Sequence, residues 1–249
     1  MSSARAVPAP DAALVRTARE GRVATITLDR ADKRNALSTA LVEALRTAIA
    51  AAAGDESVGA IVLAGAGSGF CAGADLDEFK GVPGDTGALA QRRTERTAAL
   101  LEAIASMRTP IVAAIHGPTV GAGASLALAC DLVVMSESAR FVYPEARHGM
   151  VGALVLTSLV AHAGLKTAFE ALAFGDPIDA ATALRLRMVN RVVPDADLAA
   201  EAHSLARRLG DLDAQVIGST KALLRDAAAR PFVEALRNGV AWTRRARGL

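Results

Sequence analysis

The chain has 249 residues, enough for one large domain with a substantial core. It carries 28 Lys+Arg against 26 Asp+Glu, and a formal charge of +2 speaks against a nucleic-acid or polyanion binder. With 52% hydrophobic and 22% charged residues, a disordered chain is excluded.

Met1 to Pro10 has one Arg, two prolines and no apolar stretch, so no signal peptide is expected. Arg22–Leu28 alternates as a strand does. Ser38 suits a helix N-cap, and Leu41, Leu45 and Ile49 predict an amphipathic helix to about Ala53, stopped by Gly54 and Asp55. Ala60–Ala64 is a short apolar strand, followed by a glycine-rich stretch, Gly65 to Gly73. Gly81 to Gly87, with Pro83, is the expected mobile loop. A long helix near Leu89–Met107 leads to the strand Ile111–Ile115.

Thr109 to Cys130 holds no formal charge over 22 residues. Pro110, Pro118, Gly117, Gly121 and Gly123 interrupt it, so a strand, a turn and a helix (Gly121–Ala129) fit better than a membrane span. Leu132–Met135 is the next strand. Beyond Pro144 the pattern is nearly all helical, with a small strand at Val192–Val193. The uncharged run from Gly149 to Leu165 predicts a buried helix. The expected organisation is a tail over 1–13, an α/β layered core over 14–195 and a helical region over 196–249.

Cys71 and Cys130 stand apart, with no CxxC and no His at ligand spacing, so neither a zinc site nor a disulfide framework is expected. A reducing cytoplasm is the simplest compartment. Cys71 reads as a packing thiol, and His116 as a hydrogen-bonded turn or core residue.

Three places could carry chemistry. Gly69 to Leu76 follows a strand, and its small residues let a backbone approach a ligand closely. His116 to Ser125 also follows a strand and opens a helix, where free amides favour developing negative charge. Each turn taken singly reads as a tight connection; two of them fit a two-donor oxyanion hole. Neither is a dinucleotide fingerprint or a phosphate loop. The third place is Glu145, a lone carboxylate after Pro144 among apolar neighbours, which on its own reads as a helix-start acid.

In order along the chain, Leu28 to Leu37, Phe70 to Leu76, Gly117 to Asp131, Phe141 to Gly149 and Ile178 to Pro194 resemble the motifs of the crotonase (enoyl-CoA hydratase/isomerase) superfamily. The resemblance covers about residues 14–230. It implies a spiral of ββα units with C-terminal helices that build a homotrimer or a dimer of trimers. It implies an acyl-CoA thioester substrate, with coenzyme A entering as part of that substrate and no separate cofactor or metal. The oxyanion amides fall on Ala74 and Ala122. The backbone of Ala36, Ala72 and Asp75 would run along the coenzyme A, with Lys33 and Arg34 near its phosphates.

Hydratases of this family hold one water between two glutamates. The second matches Glu145; the first falls on Ser125. The water-holding turn falls on Gly152 to Leu156, where Ala153 offers an amide among bulky apolar neighbours. The departure favours enoyl-CoA double-bond isomerisation, with Glu145 as the one acid/base and its pKa raised by desolvation. Alternatives are hydration, thioester hydrolysis by a Ser125–His148 pair, and a non-catalytic acyl-CoA carrier.

Overall fold

A computed structural model describes residues 14–79 and 87–248. The expected tail 1–13 and most of the expected mobile loop Gly81–Gly87 lie outside the described residues, Gly87 itself capping the next helix.

The chain opens with an antiparallel hairpin, β1 (Val15–Glu20) and β2 (Val23–Leu28). The strand β1 was not anticipated from the sequence: five of its six residues are exposed, so no apolar face marks it; it pairs with β2 at the sheet edge, and Arg19 ties it to Asp55 at 2.9 Å. Helix α1 (Thr39–Gly54) starts where Ser38 accepts a hydrogen bond from the Leu41 amide at 3.2 Å, and it buries Leu41, Val42, Leu45 and Ile49. Three strand–strand–helix turns follow. In the first, β3 (Ala60–Gly65) leads to a bridge at Cys71 and then to α2 (Ala88–Ser106). In the second, β4 (Ile111–Ile115) and β5 (Pro118–Val120) lead to α3 (Ala122–Ala129). In the third, β6 (Leu132–Ser136) and β7 (Arg140–Val142) lead to α4 (Ala153–Phe174). This is the expected spiral of ββα units.

After β8 (Ile178–Asp179) and α5 (Ala180–Arg185), β9 (Arg191–Val193) joins the edge of the main sheet, whose order is β1-β2-β3-β4-β6-β9. All its pairs beyond the first hairpin are parallel. A smaller sheet runs β5-β7-β8. Parallel strands in such an architecture are covered on both faces, and here alternate side chains show which cover each meets. Ile61, Leu63, Ile111, Ala113 and Ile115 join the larger core with α1 to α4. Ala60, Val62, Val112 and Ala114 pack instead beneath Leu198, Ala202, Leu205 and Ala206 of α6 (Leu198–Gly210).

The chain ends in α7 (Ala214–Ala228) and α8 (Phe232–Ala246). The buried Lys221 ties α7 to the core through Asp131, at 2.8 Å. No side chain of α8 is buried, and Phe232, Val233, Leu236 and Val240 are exposed. Among the described residues no helix is long and apolar enough to cross a membrane.

The expected buried helix over Gly149–Leu165 needs correction. Residues 149–152 are not helical, Val151 is 86% and Leu165 76% exposed, and Gly164 breaks the helical geometry inside α4 at φ 76°. An uncharged run signals low solvation cost, not burial; here part of it lines a cavity and part is surface.

Candidate active site

Both small-residue turns meet at the top of the spiral. The Phe70 amide donates to the His116 carbonyl at 2.9 Å, and the Val120 amide to that of Cys71 at 2.9 Å, so the two turns run side by side. A Cβ on Gly73 would lie 2.7 Å from the Val120 carbonyl oxygen and 3.5 Å from the Ala122 nitrogen. Only glycine allows that approach, and it adopts φ +83° there without strain. The Ala74 and Ala122 amides donate to no group among the described residues, while their neighbours are engaged: Asp75 with the Leu37 carbonyl, Gly121 with that of Val142. Ala122 is the first residue of α3, where helix amides are open and the dipole favours negative charge.

Pro144 precedes a 3-10 turn, Glu145–His148, that points Glu145 at the second loop. A Cβ on Gly121 would collide with Glu145 Oε1, and one on Gly152 would lie 3.4 Å from its Cγ. The carboxylate is thus wedged between two glycines. Among the described residues its Oε2 is buried without a hydrogen-bond partner. Desolvation raises the Glu145 pKa, as the sequence predicts; a positive charge on His148 works in the opposite direction. The Tyr143 hydroxyl is also buried without a partner, and its pKa is pushed up by desolvation and by Glu145.

Ala74, Ala122, Gly121, Glu145, His148, Met150 and Leu154 all face one cavity of about 540 Å³. Its wall is otherwise largely apolar. Ala72 and Ala153 line it too, but Ser125 does not. Ser125 is buried and bonded to Ser158 at 3.0 Å, and the Ser125–His148 pair of the hydrolase alternative is not formed among the described residues. The Ala153 amide, placed by the resemblance in the water-holding turn, donates to the Val151 carbonyl at 2.8 Å.

The remaining sequence candidates lie around the first loop. Lys33 is exposed and pairs with Asp77 at 3.1 Å. Arg34 takes a left-handed conformation at φ 50°, and its carbonyl accepts from the Ala72 amide. The Ala36 carbonyl accepts from Arg30 at 3.1 Å, and the same guanidinium reaches Asp75 at 2.5 Å. The Asp75 side chain is therefore buried in an ion pair. Cys71 is a packing thiol as expected: it donates to the Asn35 carbonyl at 3.1 Å, and burial pushes its pKa up to about 12. His116 is a turn residue, 2.9 Å from the Gly67 carbonyl oxygen.

Asn35 was missed. Fully buried, its side-chain nitrogen lies 2.8, 3.0 and 3.1 Å from the carbonyls of Ala66, Gly69 and Phe70, and its oxygen accepts from the Arg30 amide at 2.9 Å. It holds the first loop from beneath. Its left-handed backbone, φ 56°, is one that asparagine tolerates better than most residues. That preference was the only local signal.

The chain is similar to known proteins over most of its length. A family model described as Enoyl-CoA hydratase/isomerase matches residues 18–240. A Mycobacterium tuberculosis protein named "Probable enoyl-CoA hydratase echA8" is 32% identical over 231 residues, 91% of this chain and 85% of that one. The crystal structure of an enoyl-CoA hydratase from Mycobacterium smegmatis superposes with a TM-score of 0.87 at 32% identity, covering 92% of this chain and 89% of that one. An enoyl-CoA hydratase from Bacillus anthracis gives 0.85 at 26% identity, covering 90% and 87%.

Proposed function

This chain belongs to the enoyl-CoA hydratase/isomerase family, the crotonase superfamily, and within it we propose that the enzyme moves the double bond of an enoyl-CoA thioester. The thioester oxygen binds between the Ala74 and Ala122 amides. Glu145, as carboxylate, removes the α proton. Negative charge develops on the oxygen, where the two amides and the start of α3 stabilise it; one such donor is typically worth ~10²–10³ in rate. The Glu145 carboxylic acid then gives a proton to the γ carbon. A carboxyl whose pKa is raised by burial suits both halves of the cycle. The transfer needs no cofactor beyond the coenzyme A of the substrate, along which Ala36, Ala72 and Asp75 would run, near Lys33 and Arg34.

One observation carries the choice of isomerisation. Ser125, where a hydratase of this family has its first glutamate, is tied to Ser158 and absent from the cavity wall. With the Ala153 amide bonded to Val151, a water beside Glu145 would have few fixed partners. Hydration remains the second reading, because relatives of the chain bear that name. The test is to supply short and long 3-enoyl-CoA and 2-enoyl-CoA thioesters separately and follow both reactions. Isomerisation of the 3-enoyl substrates at a rate above hydration of the 2-enoyl ones is expected; the reverse order overturns the reading. The same proposal includes a homotrimer or dimer of trimers, for which the apolar residues exposed along α8 supply a contact surface. Sedimentation velocity tests it, and a monomer at micromolar concentration removes it.

A further inference from the structure

Among the described residues, the cavity is lined by two titratable side chains, and the proton chemistry above uses one. Glu145 and His148 are the first and last residues of one 3-10 turn. Residues i and i+3 of such a turn eclipse one another, so the two side chains leave it on the same side. Both line the cavity with Ala74 and Ala122. They differ in access to solvent: Glu145 Oε2 is buried and unpartnered, whereas His148 is exposed. Arg147 between them is turned away, donating to the Phe174 carbonyl at 2.6 Å and to Asp176 at 2.7 Å. A charge on the imidazole is felt by the Glu145 carboxyl.

We propose that His148 is the proton relay of this site, exchanging the proton that Glu145 takes from the substrate with solvent water. The inference rests on the enolate reading above. After α-proton removal, Glu145 is a neutral acid. Its proton passes to a nitrogen of the neutral imidazole, directly or over one water, which restores the carboxylate and leaves an imidazolium. The imidazolium trades its proton with water and returns one to the Glu145 carboxylate, which as the acid again delivers it to the γ carbon. A neutral imidazole accepts a proton on one nitrogen and can donate from the other, so it can pass a proton in either direction. Without the relay, the buried acid can only return its proton to the substrate.

The experiment follows the label. A 3-enoyl-CoA deuterated at the α carbon is converted in ordinary water, and deuterium retained at the γ carbon is measured by mass spectrometry. In parallel, butanoyl-CoA is incubated in deuterium oxide and its α-proton signal followed by NMR. The wild type is expected to wash most label out and to exchange α protons. His148→Gln is expected to slow that exchange tenfold or more and raise retention severalfold, with the Kd for butanoyl-CoA unchanged. In His148→Ala, added imidazole is expected to restore washout, which a purely structural role would not show. Wild-type retention and exchange in His148→Gln would overturn the relay, as would wild-type isomerisation with complete retention; both leave the enolate reading intact. A wild type showing neither isomerisation nor α exchange would remove that reading and the relay together.

Discussion

The hydroxyls of Ser158 and Ser125 lie 3.0 Å apart, joining α4 to α3 away from the catalytic cavity. Ser158 Oγ also lies 3.1 Å from the Val155 carbonyl oxygen. A side chain that could have faced the substrate is thereby committed to helix packing, and Glu145 is left as the carboxylate of the site.

Ser125→Ala should consequently cost little chemistry. One neutral hydrogen bond is lost, worth about 1 kcal/mol. The expected result is a melting point lower by roughly 2–4 °C and a kcat/KM for isomerisation within about threefold of wild type, a difference below 1 kcal/mol. A hundredfold loss would return Ser125 to the mechanism.

Glu145→Gln should abolish most turnover, by ~10²–10⁴ for a lost acid/base group. Its stability effect has the opposite sign. Burial raises the Glu145 pKa in the folded state, so between the unfolded and folded pKa values the folded protein binds more protons. Stability then falls as pH rises through that window. The variant is expected to melt at or above the wild-type temperature at neutral pH, with the gain vanishing in acid. Thermal melts across pH check the sign, and a variant that is less stable only at neutral pH contradicts it.

Gly121→Ala attacks the same carboxylate from the other side. The added methyl collides with Glu145 Oε1 and must occupy φ 50°, ψ −116°. A strained backbone of this kind costs about 1–3 kcal/mol. Activity should fall far more than stability, because the carboxylate itself has to move. Parallel kcat and melting measurements separate the two; equal proportional losses would show that no displacement of Glu145 occurs.

Asn35→Ala strips the support from the first loop. It leaves the Ala66, Gly69 and Phe70 carbonyls without that donor, at about 1–3 kcal/mol for each buried group left unsatisfied. A large fall in melting temperature is expected. Asn35→Asp should not rescue it, since a carboxylate donates nothing to those carbonyls and is itself buried. A melting point within two degrees of wild type in either variant would refute the assignment.

Much of the frame was legible in the sequence. Alternation located β2, short apolar runs located β3, β4 and β6, each to within a residue or so, and the Ser38 cap with Leu41, Leu45 and Ile49 located α1. These are local properties: a strand shows its period, and a helix its stripe and cap. The exposed β1 and the break at Gly164 escaped, because neither leaves an apolar pattern.

The sequence by itself determined that two glycine-rich turns and one lone glutamate exist, in an order that marks the fold. Only the tertiary structure decided what each faces. It turned Ser125 to a partner 33 residues away, engaged the Ala153 amide with Val151, and set His148 on the cavity wall beside Glu145. A hydroxyl or an amide can satisfy its hydrogen bond with any group the fold brings near. Its partner is chosen by packing across long sequence separations, which residue spacing does not encode.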